Sequence, residues 1–505
     1  MTRIGGWDAT ICVVYLGVVF LLAVISARGQ QDNEDYFVGG RRMNWWVVGI
    51  SMFATSFSSL SFLGLPQRGA YQDFSFYVTI LCIPLVITPI LWFLFIPLYT
   101  RLQVSSGYEY LGRRFGVAAQ RIGSLLYCTY ALLWMGIMLY AIAITLQVVL
   151  GLSDEGYRAA LIGVGAFATI YTVLGGLKAV IWTDVLQAVV LGGSVLLVIA
   201  LAISRIEGGW SSFYAVASAH EKFRLVQLEL PPLAGANFSS PTSLYSAIAV
   251  GLFMYLPGYT VAQNMIQRYV CCGSRAAGRG VVLLSAGINT VLGFLFLLVG
   301  TALFVFYVQQ GGGLPVEGVE LRREDQILPY FVATELSGFG LVGLILAGLF
   351  AAAMSTIDSG VNGVSSVIVF DWLGGRQLPL RISRGLTAGL GLIVILAALY
   401  VDSREDNLID VITAVAGTAL GMLMSVYLLG MLVPRANMYG TLCGVVAGGV
   451  ALSIAHWSVQ VPVQWLGLFS MVPTFVAGWA ASWLFAPPSA ESLAGTLWRS
   501  ELDEK

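Results

Sequence analysis

Apolar runs of about twenty residues recur along this chain, separated by short polar turns. Runs over 7–27, 44–67, 76–100, 121–149, 157–174, 179–203, 243–265, 279–308, 338–368, 382–401, 408–433, 438–456 and 463–486 approach or exceed the length of a bilayer-crossing helix. Thirteen spans are therefore expected, and the fold class is an all-α membrane protein. The first run is longer than the 7–15-residue core of a signal peptide and only Arg3 precedes it, so it reads as a span. Residues 204–242 and 309–337 form the two long connections. "LRREDQILPYFVATEL" in the second predicts a short surface helix. Residues 1–486 read as one transmembrane transporter domain and 487–505 as a short cytoplasmic tail, too short for an output domain.

Basic residues orient the spans. With the N-terminus outside, most of the 26 Lys and Arg fall on the inner side, among them Arg41, Arg42, Arg101, Arg113, Arg114, Arg268 and Arg384. An external N-terminus and a cytoplasmic C-terminus in the plasma (inner) membrane are expected. Only 10% of residues are charged, against roughly 25% in soluble proteins, and mean hydropathy is +0.83. A net charge of −1 offers no basic field, so no nucleic-acid partner is expected. Six scattered cysteines form no disulfide framework or metal spacing, and two histidines leave little for an imidazole-based active site. No enzyme is expected.

Two spans read as interrupted helices. "ATSFSSLSFLGLPQRG", 54–69, packs five hydroxyl residues before two glycines and Pro66; "LFMYLPGYTVAQN", 252–264, contains Pro257–Gly258. Backbone freed at such breaks must be satisfied inside protein or in a wet cavity. Leaving the N-terminal span aside, these are the first and sixth of the remaining twelve. Breaks at matching places in two five-helix halves point to an inverted-repeat transporter with a mid-membrane site.

A carboxylate lies in "GGLKAVIWTDVLQAVVL", 175–191. Asp184 sits about 9 Å along the helix from Lys178 and about 240° around it, so the two do not pair as helix neighbours. Such a charge costs on the order of 3 kcal/mol at membrane depth. Two partners stay open: an arginine, Arg268 or Arg68, swinging in from either end, or a cation from solution. "AGLFAAAMSTIDSGVNGVSS", 347–366, sets Ala352, Ser355, Thr356 and Ser359 on one helical stripe with Asp358 just off it. Alone, that stripe reads as a small-residue packing seam. Together with the breaks and Asp184, its oxygens suit a hard cation.

Four blocks, "YFVGGRRMNWW" at 36–46, "GGLKAVIWTDVLQ" at 175–187, "QNMIQRY" at 263–269 and "FAAAMSTIDSGVN" at 350–362, resemble in order the signatures of the solute:sodium symporters. The resemblance runs from about residue 7 to 486. It implies a 5+5 inverted repeat of the LeuT type, with one extra N-terminal helix and two C-terminal helices. It also implies sodium-coupled import of a small solute by alternating access, with sodium as the co-transported ion and the lipid bilayer as surroundings. By matching positions, Ala54, Phe57 and Ala352 would bind sodium through carbonyls, and Ser355 and Thr356 through hydroxyls. Asp184 matches a residue tied to a second sodium or to coupling, with Ser359 as companion and Asp358 as an added carboxylate. Substrate positions would be Ser58, Ser61, Leu81, Trp134, Tyr255, Tyr259 and Asn289. Leu81 stands where sugar carriers have an acid, and Trp134 and Tyr255 where they have amides. The third repeat helix lacks the arginine of sialic-acid carriers. A monocarboxylate or amino acid is therefore favoured, its carboxylate on amides freed at a helix break. The alternatives are a sodium/sugar symporter, a sensor or receptor retaining the fold, and a proton-coupled or uncoupled carrier.

Overall fold

Helix is the only regular structure that lets a chain this apolar satisfy its backbone in lipid without closing a barrel. The computed structural model describes residues 5–226, 243–311, 313–316, 321, 323–335, 340–402, 407–459 and 461–498, and every regular element among them is helical. Ten of these helices are long and apolar enough to cross a membrane, and a bent pair, Trp45–Ser56 with Ser59–Tyr71, makes an eleventh span. Asn407–Leu432 stands where 408–433 was expected. The second long connection carries the predicted short helix, Ile327–Glu335. The tail is described as far as residue 498, and Trp498 Nε1 donates to Phe93 O at 3.2 Å.

The spans expected at 157–174 and 179–203 share one stretch, Asp154–Ser204, of 51 residues. At 1.5 Å per residue that is about 77 Å, more than twice the hydrocarbon thickness. The stretch is interrupted at Gly176, whose φ of 53° and ψ of −155° only glycine adopts readily. A Cβ there would come within 2.6 Å of Tyr36, so the two crossings meet without a loop.

The first broken span parts at Phe57–Ser58, where both residues turn extended and the halves bend by 66°. Pro66 is accommodated inside the second half. The other break differs from expectation. The chain stays helical through Pro257–Gly258, and the interruption falls at Ala262, with ψ of 129°, before a new helix, Gln263–Val270. A π-turn over Gly251–Tyr255 comes first. That wider turn accommodates a ring that lacks an N–H, as a helix start does.

Leu341–Trp372 is the most enclosed span, and it carries Ser355, Thr356, Asp358 and Ser359, all buried. Polar groups point into the bundle because lipid offers them no partners. Leu85, Phe93, Val189, Leu283 and Val446 are exposed apolar side chains of the outer surface. Asp8, in the barely covered first helix, accepts the Gly343 N–H at 2.9 Å and so caps the start of the central span.

Candidate functional site

The break in the first span releases backbone. Its last helical bond runs from Phe57 N–H to Phe53 O at 3.0 Å, and after it the carbonyls of Ala54 through Phe57 meet no backbone donor among the described residues. Ser58 caps nothing with its side chain, and the following helix starts with its first amides unbonded within the helix. Beside the break lies a cavity of about 370 Å³. Of the expected substrate positions, Ser58, Ser61, Trp134, Tyr255, Tyr259 and Asn289 line it. Leu81 does not: Ile80 and Ile83, three residues apart on one helical face, take the wall, and Leu81 is rotated off it. Asn289 Nδ2 donates to Ser56 Oγ at 3.1 Å, tying the break to the Arg275–Gln309 helix. Gln67, Arg68 and Asp325 also line the cavity, and the substrate expectation included none of them.

Asp184 faces Arg268. Arg268 Nη2 donates to its Oδ2 at 2.9 Å, and both side chains are fully buried. Of the two partners left open, the arginine is the one in place: the Gln263–Val270 helix brings Arg268 into the bundle from "QNMIQRY". Ser51 Oγ donates to Oδ2 and Ser355 Oγ to Oδ1, each at 2.5 Å. Arg268 also donates to Ser51 Oγ at 3.0 Å, to Ser359 Oγ at 2.7 Å and to Asn264 O at 2.5 Å. Thr55 and Ser359 hydroxyls lie 2.9 Å apart. Ser359 Oγ donates to Asp358 Oδ1 at 3.2 Å, and Tyr171 donates to Asp358 Oδ2 at 2.5 Å.

Two consequences follow from charge and lone pairs. Asp184 pairs with the Arg268 guanidinium and Asp358 joins it through the Ser359 hydroxyl, so with both carboxylates ionised these three side chains hold one net negative charge. The hydroxyls of Ser51, Ser355 and Ser359 have oxygen lone pairs inside the cluster. Thr356 Oγ1 donates to Ala352 O at 3.3 Å, placing two expected ligands side by side. The Thr55–Ser359 contact holds this helix against the broken span one residue from Ala54. Ser51, Thr55 and Tyr171 were missed. Ser51 and Thr55 are four apart on one face of a mostly apolar helix, a signal that was available; Tyr171 gave none.

The chain matches the model of the sodium:solute symporter family over residues 36–448 and belongs to that family. It is 28% identical to the sodium/sialic acid symporter SiaT of Proteus mirabilis over 95% of each chain. It is 32% identical to human sodium-coupled monocarboxylate transporter 1, covering 89% of this chain and 73% of that one. Against the human sodium/iodide cotransporter the identity is 31%, over 89% and 69%. A solved structure of a sodium-coupled sialic acid symporter, bound to substrate and open outward, superposes with a TM-score of 0.87 at 26% identity, covering 96% of this chain and all of that one. A nucleobase-cation-symport-1 transporter in a closed conformation shares the fold alone, at 12% identity and TM-score 0.58 over 92% of this chain and 99% of that one. The protein is a sodium-coupled symporter of the LeuT-like 5+5 fold working by alternating access; it is not an enzyme.

Proposed function

We propose that this symporter imports a small organic solute with an apolar portion, a monocarboxylate or an amino acid. Sodium binds at Ala54, Phe57, Ala352, Ser355 and Thr356, and Asp184, Asp358 and Ser359 serve a second cation or its coupling. The observation that carries the substrate reading is the cavity wall. Leu60, Leu65, Ile80, Ile83 and Trp134 face the space where a polyhydroxylated sugar would need partners. Each buried polar group left unpaired costs about 1–3 kcal/mol, so a hexose against this wall loses several such increments. One sodium moving down 100 mV contributes about 2.3 kcal/mol to uptake before any concentration term.

Likeness to the sialic acid symporters favours a second reading, a larger sugar acid. Sodium-dependent uptake of a labelled substrate, competed by hexoses, N-acetylneuraminate, monocarboxylates and amino acids, separates the readings. Competition by monocarboxylates or amino acids is expected. Strong inhibition by a hexose alone, or by N-acetylneuraminate alone, sinks the substrate reading and leaves the sodium mechanism intact.

A further inference from the structure

We propose that Arg68 is the anion anchor of the cavity, pairing with the carboxylate of an organic monoanion whose apolar body lies along Leu65, Ile80 and Ile83. This rests on the cavity being the substrate site. It moves the anionic group from the start of the Ser59–Tyr71 helix, where freed amides lie, to the last turns of the same helix.

Ser61, Gly64, Leu65 and Arg68 stand at i, i+3, i+4 and i+7, and all four line the cavity. Arg68 is thus about 10 Å along the helix from Ser61. Its guanidinium lies over the Phe76 ring, 4.1 Å from the centroid, and Nη1 reaches Gln72 Oε1 at 3.4 Å. Neither contact neutralises it, and no described carboxylate pairs with it. Two acids lie nearby, Asp325 on the wall of the same cavity and Glu324 beside it, and each has a partner other than Arg68. Asp325 sits 3.3 Å from Arg323, and Glu324 accepts from Gln67 at 2.7 Å.

An arginine near a helix C-terminus often serves its last carbonyls. Here that task belongs to Lys222, whose Nζ donates to Ala70 O and Gln72 O at 2.5 and 2.8 Å. Arg68 is left with a planar fork of donors over an aromatic face in a walled cavity. That geometry matches a carboxylate bidentately and excludes a neutral isostere by charge. The apolar wall beside it accounts for the rest of the solute.

The test is thermal stabilisation of the purified protein in saturating sodium by butyrate, benzoate, nicotinate and N-acetylneuraminate, each beside its uncharged amide. At least one acid raises the melting temperature of the wild type and its amide does not. In Arg68→Gln the concentration of that acid giving half the shift rises at least ~10-fold, as loss of a charge-assisted hydrogen bond requires. Arg68→Lys falls between the two. The stabilisation by sodium alone persists in Arg68→Gln, which shows that the variant is folded. An equal response of Arg68→Gln to the acid, amides as effective as acids in the wild type, or no response to any acid overturns the proposal. The acid-to-amide comparison decides even where a variant folds poorly. Loss of the sodium shift in the wild type would instead count against the sodium reading.

Discussion

Asp184 takes donors from Ser51, Ser355 and Arg268, so the residue that looked like half of a cation site has a protein cation in place. Removing one partner of a buried ion pair costs about 3–5 kcal/mol because the other charge is stranded. Asp184→Asn is therefore expected to lower the melting temperature markedly. The double variant with Arg268→Gln is expected to recover part of the loss, since both charges are gone. If Asp184 also serves a cation, sodium-driven uptake stays impaired in the recovered protein; normal uptake there would reduce Asp184 to a structural role. Ser355→Ala with Thr356→Ala removes two oxygens from the proposed sodium shell. The sodium concentration for half-maximal uptake should rise at least ~10-fold, equivalent to about 1.4 kcal/mol. An unchanged value would exclude this pair as ligands.

The helices that shape the cavity are held by close approaches. At Gly69 a Cβ would meet Leu297 O at 2.1 Å, and at Gly300 it would meet Pro66 O at 2.0 Å. The upper half of the broken span thus lies backbone to backbone on the Arg275–Gln309 helix, as small residues allow in membranes. Gly300→Ala is expected to destabilise by about 1–3 kcal/mol through overpacking. Gly287→Ala in the same helix meets nothing within 4 Å and gains helix propensity, so it should be neutral or stabilising. Thermal denaturation of the two variants checks the contrast, and equal melting temperatures would dismiss the crossing as a constraint.

For the whole molecule, the distribution of basic residues leads us to propose an external N-terminus and a cytoplasmic C-terminus. Glu221 and Arg113, both exposed, fall on opposite sides in this arrangement. In a background without reactive cysteines, Glu221→Cys is expected to react with an impermeant thiol reagent in intact cells. Arg113→Cys should react only after permeabilisation. The reverse pattern would invert the topology.

Much of this was legible in the chain. Apolar runs of bilayer length locate the helices because lipid requires some twenty apolar residues per crossing whatever the neighbours are. The hydroxyl-rich break before Pro66 and the polar stripe of the central span were legible for the same reason, since polar groups at that depth must face inward. Distances between helices were not. Arg268 reaches Asp184 across 84 positions only because the chain breaks at Ala262 and a short helix carries the arginine inward. The second interruption fell at Ala262 rather than at Pro257, because the π-turn accommodates the ring. Ile80 and Ile83 replace Leu81 on the cavity wall because helix rotation is set by packing against neighbours, which local pattern does not encode. Arg68 read as an outer-end arginine free to reach Asp184; only the placement of Lys222 on the helix end and of Arg323 on Asp325 leaves it facing the cavity.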